Sequence, residues 1–285
     1  VTGRSGILGL QIRAAFGNAQ ALFGGGLVLL VVGLTLVSFV WTPYEANSFD
    51  VTATFAQPSA SHPAGTDEFG RDIFSRIMVG GQASLGISGS AVAISLAIGL
   101  VIGALTGYAG GALDVLITRV VDMLMAVPAL VLALGIVAVL GPSGISVTFA
   151  LVFAYAPTFT RVFRGVVVAT RDQPYVQASR GLAVPAILVL WQDILPNVLP
   201  IVAVQATTAL AWGILDEASL GFLGLGVQPP SPSWGSLLIE GRQFMFEAAW
   251  LPVSAGIAVV TAVLGINLLG DALRDVLDPR DWSRI

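Results

Sequence analysis

The 285-residue chain is 55% hydrophobic and 11% charged, with a mean hydropathy of +0.87, against roughly 45–50% apolar and about 25% charged residues in soluble domains; it is an integral membrane protein. Cysteine is absent, which excludes a disulfide framework, a thiolate metal site and a cysteine nucleophile. All 13 basic residues are Arg, so a phosphate-binding loop that needs Lys is excluded, and the Gly-rich GYAGGALD at 107–114 loses that reading.

The apolar residues fall in long runs separated by charged or Pro/Gly-rich stretches, the pattern of spanning helices and not of barrel strands. Six segments reach the ~20 residues that a crossing needs, which predicts an all-α, polytopic bundle. The first, ALFGGGLVLLVVGLTLVSFVW at 21–41, follows a segment 1–20; it is too long for a signal-peptide core and reads as a retained anchor. Residues 42–84 form a long connection. In it Asp67, Glu68, Arg71, Asp72 and Arg76 are spaced for a surface helix with mutual pairs, leaving Ile73, Phe74 and Ile77 to touch the membrane.

The core at 85–270 holds the other five spans. The second runs from about Leu85 to Tyr108, with Gly99, Gly103 and Gly107 repeating every four residues as a close-packing face for another helix. Its GISG at 86–89 fits the Gly-x-Ser-Gly of an intramembrane serine protease, but that chemistry needs a His base at Ser88, and the only His is His62 in the preceding connection. The third span starts near Leu113 and ends before Gly141-Pro142. Near its start Arg119 and Asp122 lie one turn apart and can pair, and ionisable groups at membrane depth are candidates for function. The fourth covers about Ile145 to Val168.

Residues 169–196 form the second long connection. Pro174 suits the first turn of a short helix to which Val176, Leu182, Ile187, Leu190 and Trp191 give apolar contacts, and Pro185 should divide it. The fifth span begins near Asn197 and is closed by Asp216 and Glu217. GVQPPSPSWG at 226–235 stays non-helical ahead of the sixth span, about Ala248 to Leu269. That span carries Asn267, suited to bonding a neighbouring helix, and ends in Asp271, Arg274, Asp275 and Asp278 on one helical face within the 271–285 tail. With the amino terminus inside, Arg4, Arg13, Arg119, Arg161, Arg164, Arg171, Arg180, Arg274, Arg280 and Arg284 fall inside and only Arg71, Arg76 and Arg242 outside, as the positive-inside rule requires.

Four stretches carry a resemblance. QASRGLAVPAILVLWQDILP at 177–196 resembles the cytoplasmic loop of ABC-importer permeases, with Ala178, Leu195 and Pro196 in register and Gln177 where the family has Glu. GTDEFGRDIFSRIMVGGQASL (65–85), ILDEASLGFLGLGVQPPSPSWGSLL (214–238) and GDALRDVLDPR (270–280) resemble, in order, segments of the C-type permease subunits of dipeptide, oligopeptide and nickel importers. The resemblance implies a six-helix type I permease fold with a cytoplasmic coupling helix, in a bacterial cell membrane with both termini cytoplasmic. It implies a non-catalytic chain without cofactor, metal or nucleic acid, which works with a homologous permease, two ATPase subunits that hold ATP and Mg2+, a peptide-binding protein outside, and surrounding lipid. Tyr175, Val176, Gln177, Ala178, Arg180, Gly181, Leu182, Leu195 and Pro196 would contact the ATPases. Arg119, Asp122, Asp216, Glu217 and Asn267 are candidates for pathway or gate, and Asp67, Glu68, Arg71 and Asp72 for docking the binding protein. Gly99, Gly103 and Gly107 could pack on the partner permease. The cargo implied is a peptide; the alternatives are nickel or another solute, or an ion-coupled secondary transporter.

Overall fold

The computed structural model describes residues 19–277. Asp278, Arg280, Arg284, Arg4 and Arg13 lie outside the described residues. Apart from one isolated bridge between Thr66 and Asp72, the described residues form helices joined by turns and loops. Helix α1 (Ala19–Val37) is followed by the 42–72 segment and α2 (Ile73–Ala109). After it come α3 (Gly111–Met125), α4 (Ala129–Leu140) and α5 (Gly144–Arg171). A short α6 (Pro174–Gly181) and α7 (Ala186–Val189) lead through a π-helical turn, Leu190–Ile194, into α8 (Leu195–Phe222). Helices α9 (Trp234–Gln243) and α10 (Trp250–Leu277) complete the order. Among the described residues, five helical runs are long and apolar enough to cross a membrane, and the α3–α4 pair makes a sixth if taken as one crossing.

That pair departs from the single straight span expected from the sequence: its halves meet at 86°. Pro128 explains the break, since a proline disfavours helical geometry in the residue before it and cannot continue the ladder. Helix α2 starts twelve residues earlier than the hydropathy suggested, at Ile73. Asp72 makes the start, its side chain accepting from Ser75 N at 2.8 Å as an N-cap. At 37 residues α2 is about 55 Å long, well beyond the ~30 Å hydrocarbon core, so its first turns belong with the 42–72 segment.

Gly99, Gly103 and Gly107 form the close-packing face that their spacing suggested, and the helix packed on it is the chain's own α5, not one of a partner permease. A Cβ at Gly103 would lie 2.8 Å from Thr160 O, and one at Gly107 2.9 Å from Val167 Cβ; only Gly lets the two backbones approach this closely. Phe159, Phe163 and Val167 of α5 fill the space beside them. Helix α1 is attached on the outside by the same device, its Gly24 against Leu268 of α10 and its Leu27 against Gly265 of α10. Around the α2–α5 pair, one apolar cluster joins α4, α5 and the end of α8 through Val137, Leu151 and Leu220, and a second joins α1, α8, α9 and α10 through Val31, Ile214, Trp234 and Val259.

Candidate functional site

The bundle has two different ends. At one, residues 172–197 form a hairpin of short helices. Arg171 closes α5 by donating from Nη1 to Gly107 O (2.6 Å), and Pro174 opens α6 at a position where its missing N–H costs nothing. The turn after α6 is made by Ala183 in the left-handed region (φ 57°), and Pro185 starts the next helix. The two prolines therefore do what the sequence indicated. Pro196 and Pro200 do not interrupt the fifth span: the π turn just before them, with Leu195 N bonding to Leu190 O, takes up the ladder mismatch that a proline creates, and helix runs on to Phe222.

One side chain roots the hairpin. Val176 is fully buried among Phe163, Val167, Val189, Ile194 and Val198. Around it the contacts are light. The Arg180 guanidinium sits 4.3 Å over the Tyr108 ring, Asn197 donates to Tyr175 Oη (3.0 Å), and Gln177 donates to Asp172 O (3.3 Å). Tyr175, Gln177, Ala178, Arg180, Gly181, Leu182 and Pro196 are exposed and Leu195 is half-buried. Leu182 is 80% exposed and Trp191 63%, so of the five residues expected to give apolar contacts only Val176 is fully buried. A Cβ on Gly181 would meet nothing within 4 Å.

The opposite end is built from buried charge. Asp67, Arg71, Asp72 and Arg76 were expected on a surface helix; instead 67–72 is a turn, Arg76 lies in the first turn of α2, and all four are buried. Arg76 donates to Asp67 Oδ2 (3.1 Å) and to both Glu240 oxygens (3.0 and 3.2 Å), and Arg71 Nε donates to Asp67 Oδ2 (2.6 Å). Glu68 is half-buried, 3.6 Å from Arg71. Burial pushes the Glu240 carboxyl above its usual range, outweighing the pull of Arg76 and Arg71. Asp72 caps α2 and also holds His62, 2.9 Å away, which stacks on Tyr44. Asp67, Arg71 and Asp72 are thus scaffold and present no surface. Ile73 is buried rather than facing the membrane. Ser88 is buried on α2, about 22 Å along the helix from Ile73, while His62 is engaged in the 42–72 segment.

The remaining candidates scatter. Asp122 pairs with Arg161 of α5 and not with Arg119, which is exposed; α3 and α5 run antiparallel, and a second pair, Asp114 with Arg164 (2.7 Å), fixes their register. Tyr155 donates to Asp216 Oδ2 at 2.6 Å. Glu217 is no helix-end carboxylate in water: it is fully buried and neither oxygen has a hydrogen bond. Ser84 and Ser233 flank it; their Oγ atoms accept from Trp234 N and Ser236 N, which leaves both hydroxyl hydrogens free to turn toward the carboxyl. Asn267 is exposed, as are Asp271, Arg274 and Asp275, with no ion pair between these three. Asp114, Tyr155, Arg161, Arg164 and Glu240 escaped the sequence reading. The spacing of Arg161 and Arg164, one turn apart opposite acidic residues two turns apart, was the available signal.

The family described as binding-protein-dependent transport system inner membrane component matches residues 99–281. The chain is 42% identical over 223 residues to the dipeptide transport system permease protein DppC of Alkalihalophilus pseudofirmus, covering 78% of this chain and 73% of that one. It is 37% identical over 273 residues to the di/tripeptide transport system permease protein DppC of Pseudomonas aeruginosa, covering 93% and 90%. Among solved structures it is similar to an inward-facing MetNI methionine ABC transporter, with a TM-score of 0.56 at 19% identity over 70% of this chain and 94% of that one; that likeness concerns the fold.

Proposed function

This chain belongs to the family of binding-protein-dependent transport system inner membrane components, and from that premise we propose that it is a permease subunit of an ATP-driven peptide importer. The peptide cargo is supported by the names of relatives at about 40% identity over most of the chain. In this reading a homologous permease completes the pathway, two ATPase subunits bind ATP and Mg2+, and a binding protein delivers peptide. The 172–197 end faces the cytoplasm and the ATPases; the 42–72 end faces the binding protein.

The observation that carries the reading is the 172–197 hairpin. A chain with no phosphate-binding loop of its own must receive work through a contact. A short helix that is rooted in the bundle core by Val176 and otherwise exposed can pass a push to α5 and α8, because both supply walls of the Val176 pocket. Ligand-driven closure of the ATPases then shifts the bundle between two arrangements only through a difference in contacts at this point.

The test is reconstitution in liposomes with the ATPases, second permease and binding protein. ATP-dependent dipeptide uptake that needs the binding protein is expected. Ala178→Trp, on the exposed side of α6, should leave the complex assembled and ATP hydrolysis running while uptake collapses. Normal uptake by that variant would overturn the coupling assignment, and uptake by this chain alone under a proton gradient would favour an ion-coupled carrier.

A further inference from the structure

An ion pair stands exposed at a depth where lipid would not tolerate it. Arg161 of α5 and Asp122 of α3 pair with each other, yet 51% and 53% of their side chains remain exposed. Helix α5 has 28 residues, about 42 Å at 1.5 Å per residue, so when centred it overhangs a ~30 Å hydrocarbon core by about 6 Å at each end. Arg161 precedes the Arg171 end by about 15 Å along the axis, which leaves it ~9 Å inside the core. Ionisable groups at that depth face protein or water-filled space.

The surroundings favour water-filled space. The exposed side of α5 continues from Arg161 through Thr158, Gly165 and Ala169, small or polar residues at helical spacing, and a Cβ on Gly165 would meet nothing within 4 Å. The bulky exposed Phe149 and Phe153 lie about 145° away around the same helix, so one side of α5 suits lipid or protein and the other does not. Arg119, one turn from Asp122, is also exposed and has no ion pair among the described residues. Two guanidinium groups and one carboxylate leave the strip with an excess positive charge. That balance suits a ligand with one carboxylate, and Asp122 suits an ammonium.

We propose that Arg119, Asp122 and Arg161, with Thr158 and Gly165 beside them, form a contact site for a short zwitterionic peptide in transit, its carboxylate toward Arg119 and its ammonium toward Asp122. This rests on the peptide-importer reading above. The test uses the complete importer in liposomes, with the same binding protein for every variant. Arg119→Gln should lower diglycine uptake about tenfold, the loss of one charge-assisted hydrogen bond, while ATP hydrolysis stimulated by loaded binding protein stays near that of the unaltered importer. Gly165→Leu, which has room in the fold, should cut dileucine uptake about tenfold more than diglycine uptake by narrowing the strip. Unchanged uptake in the first variant together with an unchanged ratio in the second would overturn the proposal. So would dissociation of the two permeases in both, which would make the strip a subunit interface. An unaltered importer that takes up no peptide would instead overturn the function reading on which this one rests.

Discussion

The two ends of the bundle are held in opposite ways. At the 42–72 end, Arg76 and Arg71 bridge Asp67, on the connection before α2, to Glu240 on α9, with Arg76 only 1% exposed. At the 172–197 end, a single buried Val176 seats a helix whose other faces meet solvent. Buried charges have little value as net stability but are very costly to leave unpaired, so the first arrangement fixes one geometry. A lone apolar contact tolerates small shifts and ties its helix to whatever the surrounding core does. If α6 meets the ATPases as proposed, one end is a clamp and the other a lever.

The sharpest way to break that contrast is to remove the clamp. Arg76→Met keeps the bulk but leaves Arg71 as the one remaining cation for both Asp67 and Glu240, and the cost should approach the ~3–5 kcal/mol of a broken buried pair; the expected outcome is aggregation on size-exclusion chromatography in detergent, or a large fall in melting temperature. An Arg76→Met protein as stable as the original would mean that water reaches this end freely. Removing the lever's root should cost less. Val176→Ala empties part of a closed apolar pocket, worth roughly 1.5–3 kcal/mol, and should leave a folded protein with a lower melting temperature. Its larger effect should fall on function: more ATP hydrolysed per peptide taken up, because the push on α6 no longer moves α5 and α8 together. A thermal shift as large as that of Arg76→Met would show that the hairpin is scaffold too.

The sequence disclosed these two ends unequally, for physical reasons. Pro174 and Pro185 are local signals, and the hairpin between them could be drawn from neighbours in the chain alone. The clamp could not, because Glu240 is separated from Arg76 by 164 positions and nothing near Asp67-Glu68 marks the charges as buried. The same holds for α3 and α5: Asp122 has Arg119 one turn away, and only the rotation of the two helices decides that Arg161 takes the bond. Spans were legible because hydropathy is summed over ~20 residues. The early start of α2 was not, since Arg76 and the Gly80-Gly81 pair interrupt the apolar run and the Asp72 cap shows only in three dimensions.

The smallest expected effect tests the lever most finely. Gln177 stands on the exposed side of α6, and its side chain donates to Asp172 O at 3.3 Å. In Gln177→Glu the carboxylate cannot donate, but the lost bond is exposed, and surface changes of this kind fall within about 0.5 kcal/mol. Against that, a carboxylate in the first turns of a helix is favoured by about 0.3–1 kcal/mol, offset in turn by the nearby Asp172 side chain, 66% exposed. The melting temperature should therefore hardly move. If α6 transmits its push through packing at Val176, ATP-coupled uptake should persist as well, since residue 177 points away from that pocket. Loss of uptake in Gln177→Glu, with the complex assembled, would show that the contact outside the bundle needs a neutral amide at this position, and that the lever is gripped by hydrogen bonds as well as seated by an apolar root.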